Sequence, residues 1–207
     1  MLAKPEGLRV FGLTGGIAAG KSEVARVWRG LGIPVIDADQ VSREQMLPGG
    51  SIYAAVAAEF GNVVLSPDKT IDRAALGSLV FADPDRRRRL EALTHAEVLR
   101  EVERRLGTIA QTGCHLAVVE AALILETGLE TQMDGLAVVI APIDQRIRRA
   151  IVRDGMDETS VRARMSAQVG DERRQTASKA VLHNDRDLRT LRGRARSLAI
   201  EVLITRA

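Results

Sequence analysis

The hydrophobic and polar residues near the start of the chain follow two kinds of pattern. Residues 9–13 form a short apolar run that ends in a glycine turn at residues 14–16, which predicts a buried strand. A helix is predicted next, because apolar residues then recur at helical spacing on one face, namely Val24, Val27, Trp28 and Leu31. Gly32 marks its end, and residues 33–36 predict a second strand. This order of strand, helix and strand is typical of a parallel α/β sheet.

The middle of the chain interrupts this alternation with helical patterns. Residues 39–60 have a helical pattern that breaks at residues 48–50. Asp72 is a candidate N-cap of a further helix, and Asp83 precedes a longer helical stretch that reaches about residue 110. We interpret this helical stretch as an inserted lobe.

Strand patterns return in the last part of the chain. Residues 116–119 and 136–140 are runs rich in β-branched residues, which favour central strands. An arginine-rich helical region then extends to about residue 179, and a short strand at residues 180–182 precedes a last helix from Asp185. The predicted fold class is therefore α/β, with helices on a parallel central sheet.

Composition narrows the class of protein. Of the 207 residues, 45% are hydrophobic and 28% are charged, and no apolar run approaches the roughly 18 residues of a membrane span. Because 30 basic residues are nearly matched by 27 acidic ones, the net charge of +3 does not indicate a nucleic-acid partner. The single cysteine, Cys114, excludes an intramolecular disulfide. We expect a cytoplasmic protein with neither a membrane nor a nucleic-acid partner.

A complete phosphate-loop motif lies between the first predicted strand and helix. It consists of Gly15, Gly16, Ile17, Ala18, Ala19, Gly20, Lys21 and Ser22. Glycines let the backbone turn its N–H groups toward phosphate oxygens, and the following helix N-terminus favours negative charge. Lys21 is expected to neutralise the β- and γ-phosphates of ATP, and the Ser22 hydroxyl to bind Mg²⁺. The alternative is a glycine-rich turn without a ligand.

Two carboxylates follow the second predicted strand. Asp37 and Asp39 lie at its carboxyl end, where open parallel sheets bind their ligands. A carboxylate there can orient an acceptor hydroxyl and accept its proton. The alternative is that both residues only form a turn and a helix cap. Position alone does not separate Asp37 from Asp39 as the base.

Several motifs together resemble the dephospho-coenzyme A kinase family. They begin with Gly-Leu-Thr-Gly-Gly-Ile at residues 12–17, the completed phosphate loop, and Ile-Asp-Ala-Asp at residues 36–39. Further matches extend the resemblance over nearly the whole chain: residues 71–76, His95, residues 123–126, Arg149, residues 153–155, Gln168 and residues 181–184.

This resemblance implies a three-layer P-loop kinase that phosphorylates the ribose 3′-hydroxyl of dephospho-coenzyme A, the last step of coenzyme A synthesis. It implies a single domain with a core at about residues 8–60, 113–142 and 178–207, a helical substrate lobe at about 61–112 and a lid at about 143–177. It also implies ATP and Mg²⁺ as cofactors, and we expect a monomer or weak homo-oligomer.

The resemblance also assigns roles to individual residues. It makes Asp39 the preferred base, and Arg149 and Arg153 the arginines that close on the phosphates. It places Asn184 near the adenine. The residues implied for the acceptor substrate, besides Asp39, are Thr14, Arg73, His95 and Glu126. Glu120 and Glu126 flank the end of the third strand, where they either hold Mg²⁺ waters or cap a turn.

Some positions depart from the family's pattern. Ala96 and Ala122 replace prolines, Arg146 stands where the family tends to carry glutamine, and Lys179 stands where aspartate is usual. Ala18 and Ala19 replace a frequent Gly-Ser pair, which is tolerated only if neither position needs a positive φ. These departures leave Lys21, Ser22 and Asp39 intact.

The sequence leaves three other functions open. Another small-metabolite kinase is the nearest rival, since acceptor specificity lies in the inserted lobe. A nucleotide switch is a second, although the sequence has no Asn-Lys-x-Asp pattern for reading guanine. A nucleic-acid binder is a third, although Tyr53, Trp28 and three phenylalanines are few aromatics for base stacking.

Overall fold

The computed structural model describes residues 2–204, apart from the side chains of Phe81 and residues 202–204. Met1 and residues 205–207, the end of the predicted core segment 178–207, lie outside this described part. The chain forms two compact units. The larger contains the described residues up to Asp37 and from Leu106 onward, and the smaller contains Ala38–Arg105.

The larger unit is built on a parallel sheet of five strands, which confirms the predicted α/β architecture. The strands are β1 (Arg9–Gly15), β2 (Val35–Asp37), β3 (Leu116–Glu120), β4 (Gly135–Ile140) and β5 (Ala180–His183). Their order across the sheet is β2-β3-β1-β4-β5, with every neighbouring pair parallel. Because β1 lies between β3 and β4, it is buried along nearly its whole length, as its apolar sequence predicts.

Five helices belong wholly to the larger unit: α1 (Lys21–Gly30), α6 (Ile143–Asp154), α7 (Glu158–Ser166), α8 (Asp171–Ala177) and α9 (Leu188–Leu198). A π-helical turn, Ala199–Ile204, continues α9, and a 3₁₀ turn spans Leu129–Gln132. The α1 face predicted to be apolar packs into the core, where the fully buried Trp28 donates from Nε1 to the Ala195 carbonyl at 2.9 Å. The prediction is wrong for Leu31, which is 41% exposed because the helix has already ended there.

The smaller unit is helical, as its sequence predicts. It holds α2 (Ala38–Gln45), α3 (Ser51–Phe60), α4 (Arg73–Ala82), most of α5 (Pro84–Gln111) and a 3₁₀ turn, Asn62–Val64. Its own core is formed by Ile52, Val56, Val64 and Leu76. Asp72 caps α4 as predicted, accepting from the Ala74 and Ala75 amides at 2.9 Å. The division of the chain into core, lobe and lid by function stays a prediction.

Within residues 2–204, none of the helices combines the length and the apolar character needed to cross a membrane.

Candidate active site

The phosphate loop connects the end of β1 at Gly15 with the start of α1 at Lys21. Gly20 precedes the helix with φ 110°, in the left-handed region that glycine adopts easily. No described side chain caps this helix start. The first amides of α1 are therefore available to an anion, and the helix dipole adds a partial positive charge there.

A cavity of about 460 Å³ opens at this helix start. One wall is the loop and the first turn of α1, and the other is the exposed face of α6. The lining residues are Ala18, Gly20, Lys21, Ser22, Glu23, Arg148, Arg149, Val152 and Arg153. Lys21 folds back so that its Nζ donates to the Gly15 carbonyl at 3.0 Å. A cavity lined by one lysine and three arginines suits a polyanion such as a chain of phosphates.

The Ser22 hydroxyl meets one carboxylate, Glu120, which lies beside a second, Asp37, at the carboxyl edge of the sheet. Ser22 Oγ donates to Glu120 Oε1 at 3.1 Å, and the β2–β3 register pairs Asp37 with Glu120. Glu120 is only 2% exposed, and its Oε2 has no hydrogen-bond partner among the described residues, with Arg29 Nη2 3.8 Å away. Burial raises the pKa of the Glu120 carboxyl, and the charge of Asp37 raises it further. A buried oxygen of this kind, beside a hydroxyl and a second carboxylate, fits a hydrated divalent cation.

Side chains from three distant segments hold the backbone of the loop. Asn184 Nδ2 donates to the Ala19 carbonyl at 2.8 Å, and Gln168 Oε1 accepts the Ile17 amide at 2.9 Å. Arg146 Nε donates to the Ile17 carbonyl at 3.0 Å. Arg146 is buried, a placement that its arginine-rich neighbourhood in the sequence did not indicate. Its only signal in the sequence was its departure from the family's glutamine.

The loop contains one residue in an unfavourable conformation. Ala18 has φ 55°, so the condition for tolerating the Ala18-Ala19 pair, that neither position needs a positive φ, is not met at Ala18. A side chain at this φ crowds the backbone, which is why glycine usually occupies such positions. Ala18 is held there by the path of the loop and by its packing against the cluster around Ile147 and Val161.

Comparison with known proteins shows which protein family this chain belongs to. The family model for dephospho-CoA kinase matches residues 9–190. The chain belongs to the dephospho-CoA kinase family. A curated dephospho-CoA kinase from Geobacter sulfurreducens is 41% identical over 178 residues, which are 86% of this chain and 90% of that protein.

Solved structures agree with the fold. A Thermus thermophilus protein of known crystal structure aligns with a TM-score of 0.79 and 31% identity, covering 94% of this chain and 98% of that one. Dephospho-CoA kinase from Campylobacter jejuni aligns with a TM-score of 0.65 and 23% identity, covering 93% and 96%. The predicted fold class, an α/β P-loop kinase with a parallel central sheet, is therefore confirmed.

The larger unit places four further residues predicted from the dephospho-CoA kinase resemblance. Thr14 is buried on β1, and its Oγ1 donates to the Ala122 carbonyl at 3.4 Å. Glu126 accepts the Val169 amide at 2.9 Å. Arg149 and Arg153 line the cavity, where Arg149 Nη2 donates to Gln145 at 2.8 Å and Arg153 pairs with the adjacent Asp154 at 2.7 Å.

The smaller unit carries the other three predicted residues. Asp39 is exposed in the first turn of α2, which begins directly after β2. Arg73 is exposed at the first position of α4, and His95 is exposed on α5. Their roles toward a substrate stay predictions.

The strain at Ala18 predicts opposite effects for glycine at two adjacent loop positions. Ala18→Gly should leave the free energy of unfolding unchanged or raise it, since relief of about 1 kcal/mol of left-handed strain offsets the added freedom of the unfolded chain. Ala19→Gly should lower it by about 1 kcal/mol, because the buried Ala19 does not have a positive φ and loses its packed methyl group. Urea unfolding of both variants measures the difference, and equal destabilisation would contradict the assignment.

Proposed function

We propose that this protein transfers the γ-phosphoryl group of ATP to the ribose 3′-hydroxyl of dephospho-CoA, releasing CoA and ADP. The family membership supports this reaction, as does the name of the Geobacter sulfurreducens relative. The observation that carries it is the cavity where the uncapped start of α1 and Lys21 face the arginines of α6. The reaction is the last step of CoA biosynthesis.

ATP occupies this cavity with its β- and γ-phosphates toward the loop. The loop amides and Lys21 bind phosphate oxygens, and Lys21 exchanges its contact with the Gly15 carbonyl for the nucleotide. Arg149 and Arg153 supply positive charge to the transferred group from α6. Arg149 suits this role because its Nη1 is buried and lacks a hydrogen-bond partner among the described residues.

Asn184 is the candidate contact for the adenine. Its Nδ2 is used by the Ala19 carbonyl, whereas its Oδ1 is buried without a hydrogen-bond partner in the described part of the chain. An amide oxygen in this state is suited to accept from an exocyclic amino group.

Mg²⁺ would be held beside Ser22 and Glu120. When bound, it neutralises charge on the β- and γ-phosphate oxygens. Ser22 Oγ is free to become a ligand once it leaves Glu120, and Glu120 Oε2 is positioned to accept from a water of the cation. Within the described residues, no cluster of three or more acidic, histidine or cysteine side chains surrounds a metal position. Phosphate and water oxygens would complete the ligand set of a bound Mg²⁺.

Asp39 is the proposed general base. It accepts the proton of the 3′-hydroxyl while that oxygen bonds to the γ-phosphorus and the bond to the bridging β–γ oxygen breaks. Its position two residues after Asp37, at the carboxyl end of β2, supports this role. Thr14, Arg73, His95 and Glu126 stay predicted acceptor contacts, and a monomer or weak homo-oligomer stays the expected state.

Acceptor specificity is tested by product analysis. Purified protein with Mg-ATP should convert dephospho-CoA to CoA and leave nucleoside monophosphates and small hydroxylated metabolites unchanged. Turnover of such a metabolite with none of dephospho-CoA would replace this proposal with the rival small-metabolite kinase.

Replacement of the base should separate turnover from nucleotide binding. Asp39→Asn should reduce kcat by about 100-fold or more, because the acceptor hydroxyl loses its proton acceptor. Affinity for Mg-ADP should stay within about twofold, since Asp39 does not line the nucleotide cavity. Asp37→Asn is the matched control at the same strand end, and it should reduce kcat by less than Asp39→Asn does. Near-normal turnover by Asp39→Asn would remove this residue from the mechanism.

Removal of the buried carboxylate should change the magnesium requirement. Glu120→Gln keeps the shape of the side chain but loses its charge, so the Mg²⁺ concentration for half-maximal turnover should rise about tenfold. Binding of ADP measured in EDTA should be unchanged, which separates a metal effect from damage to the loop. An unaltered Mg²⁺ dependence would exclude Glu120 from the metal site.

A further inference from the structure

A series of charged side chains, in which two buried arginines alternate with two partly buried carboxylates, joins α6 and α8 next to the phosphate loop. Arg146 and Arg174 are 4% and 1% exposed, and both donate to the Asp171 carboxylate. The distances to Asp171 are 3.3 Å from Arg146 Nη1 and 3.1 Å from Arg174 Nη1. Arg174 Nη2 also lies 3.5 Å from Glu126 Oε1. Positive and negative groups thus alternate along these contacts. We call this set of residues, Arg146, Asp171, Arg174 and Glu126, the ionic chain.

Stability alone is a weak reason for such an arrangement. Two arginines lose their hydration on burial, and the attraction of their partners only roughly compensates for that loss. Burial lowers the pKa of the Arg146 guanidinium, although Asp171 opposes this shift. Apolar side chains of similar size would fill the same space at less cost, so a role in positioning other groups is the better explanation.

The ionic chain ends on the phosphate loop. Arg146 Nε donates to the Ile17 carbonyl, and its guanidinium occupies the space where a side chain at Gly16 would lie, 1.9 Å from an added Cβ. The Ile17 amide, on the other peptide group of this residue, donates to Gln168 Oε1. Both peptide groups of Ile17 are therefore fixed by side chains that belong to α6 and to the segment after α7.

This anchoring acts on the one strained residue of the loop. The Ile17 carbonyl belongs to the peptide that leads into Ala18, so its orientation limits φ of Ala18, which is 55°. Left-handed backbone at a residue with a Cβ costs free energy and persists only where the surroundings fix it. The Arg146 hydrogen bond supplies such a restraint directly before Ala18.

We propose that Arg146 is a positioning residue of the phosphate loop, held by Asp171 and Arg174, that keeps Ala18 in the left-handed conformation needed for the loop amides to face nucleotide phosphates. The proposal rests on the nucleotide binding proposed above. It follows that nucleotide affinity depends on Asp171 and Arg174, neither of which lines the nucleotide cavity.

Glycine at position 18 gives the discriminating experiment. Mg-ADP is titrated calorimetrically into the wild type, Arg146→Met, Ala18→Gly and the double variant. Arg146→Met should weaken ADP binding about tenfold, because the loop relaxes away from the left-handed conformation. In the Ala18→Gly background the same change should cost no more than about threefold, since glycine adopts this φ without a side-chain penalty.

The controls separate positioning from general support. Arg162→Met removes an exposed arginine of α7 that pairs with Glu158, and it should leave ADP affinity unchanged. Asp171→Asn keeps Arg146 but removes its charged partner. It should lower ADP affinity by less than Arg146→Met does, and the Ala18→Gly background should reduce this loss as well. Melting temperatures identify any variant that fails to fold. If Arg146→Met fails to fold, the ADP affinities of Asp171→Asn with and without Ala18→Gly test the proposal in its place.

An equal loss of affinity on Arg146→Met in the wild-type and Ala18→Gly backgrounds would overturn the proposal, as would full affinity in the Arg146→Met single variant. A merely structural role for Arg146 predicts the equal loss, because glycine at position 18 restores no packing. The titration contains no acceptor, so its result does not depend on dephospho-CoA. If the ADP affinities follow the expected pattern but the protein does not phosphorylate dephospho-CoA, only the proposed reaction is contradicted.

Discussion

The structure depends on one backbone constraint, which is that a short loop must turn its N–H groups toward a single point. Much of the shape of the loop is fixed by the elements that surround it. Strand β1 fixes its start between β3 and β4, and the start of α1 fixes its end. Between these points Asn184, Gln168 and Arg146 bind its carbonyl and amide groups. The distant parts of the larger unit thus serve to hold a few peptide groups in place.

The parallel sheet gathers the acidic groups at the same edge. Because β2 and β3 are in register, Asp37 stands beside Glu120, and the loop brings Ser22 to the same place. Burial favours the neutral form of Glu120, whereas a bound cation would favour the charged form. The same environment that penalises this carboxylate in the free protein would therefore strengthen its interaction with a cation.

Much of this architecture could be predicted from the sequence, because its signals are local. Apolar runs predicted all five strands, and the eight-residue motif predicted the phosphate loop between β1 and α1. The position of Asp72 predicted a helix cap that the structure contains. Leu31 was predicted to be buried because helical spacing continues past the residue where the helix ends.

The remaining features depend on contacts between distant parts of the chain. Arg146 and Ile17 are 129 residues apart, and no periodicity links them. An arginine-rich helix usually lies in solvent, so the burial of Arg146 and Arg174 has no local signal. The conformation of Ala18 has no local signal either, since residue type argues against a positive φ that the surrounding structure imposes.

Calorimetric titration of wild-type protein with a non-hydrolysable Mg-ATP analogue measures directly whether the phosphate loop binds nucleotide. We expect saturable heat with one nucleotide bound per chain, and loss of that heat in a Lys21→Ala variant that remains folded. Absence of heat in well-folded wild-type protein, or unchanged binding by Lys21→Ala, would contradict the claim that this loop binds nucleotide phosphates.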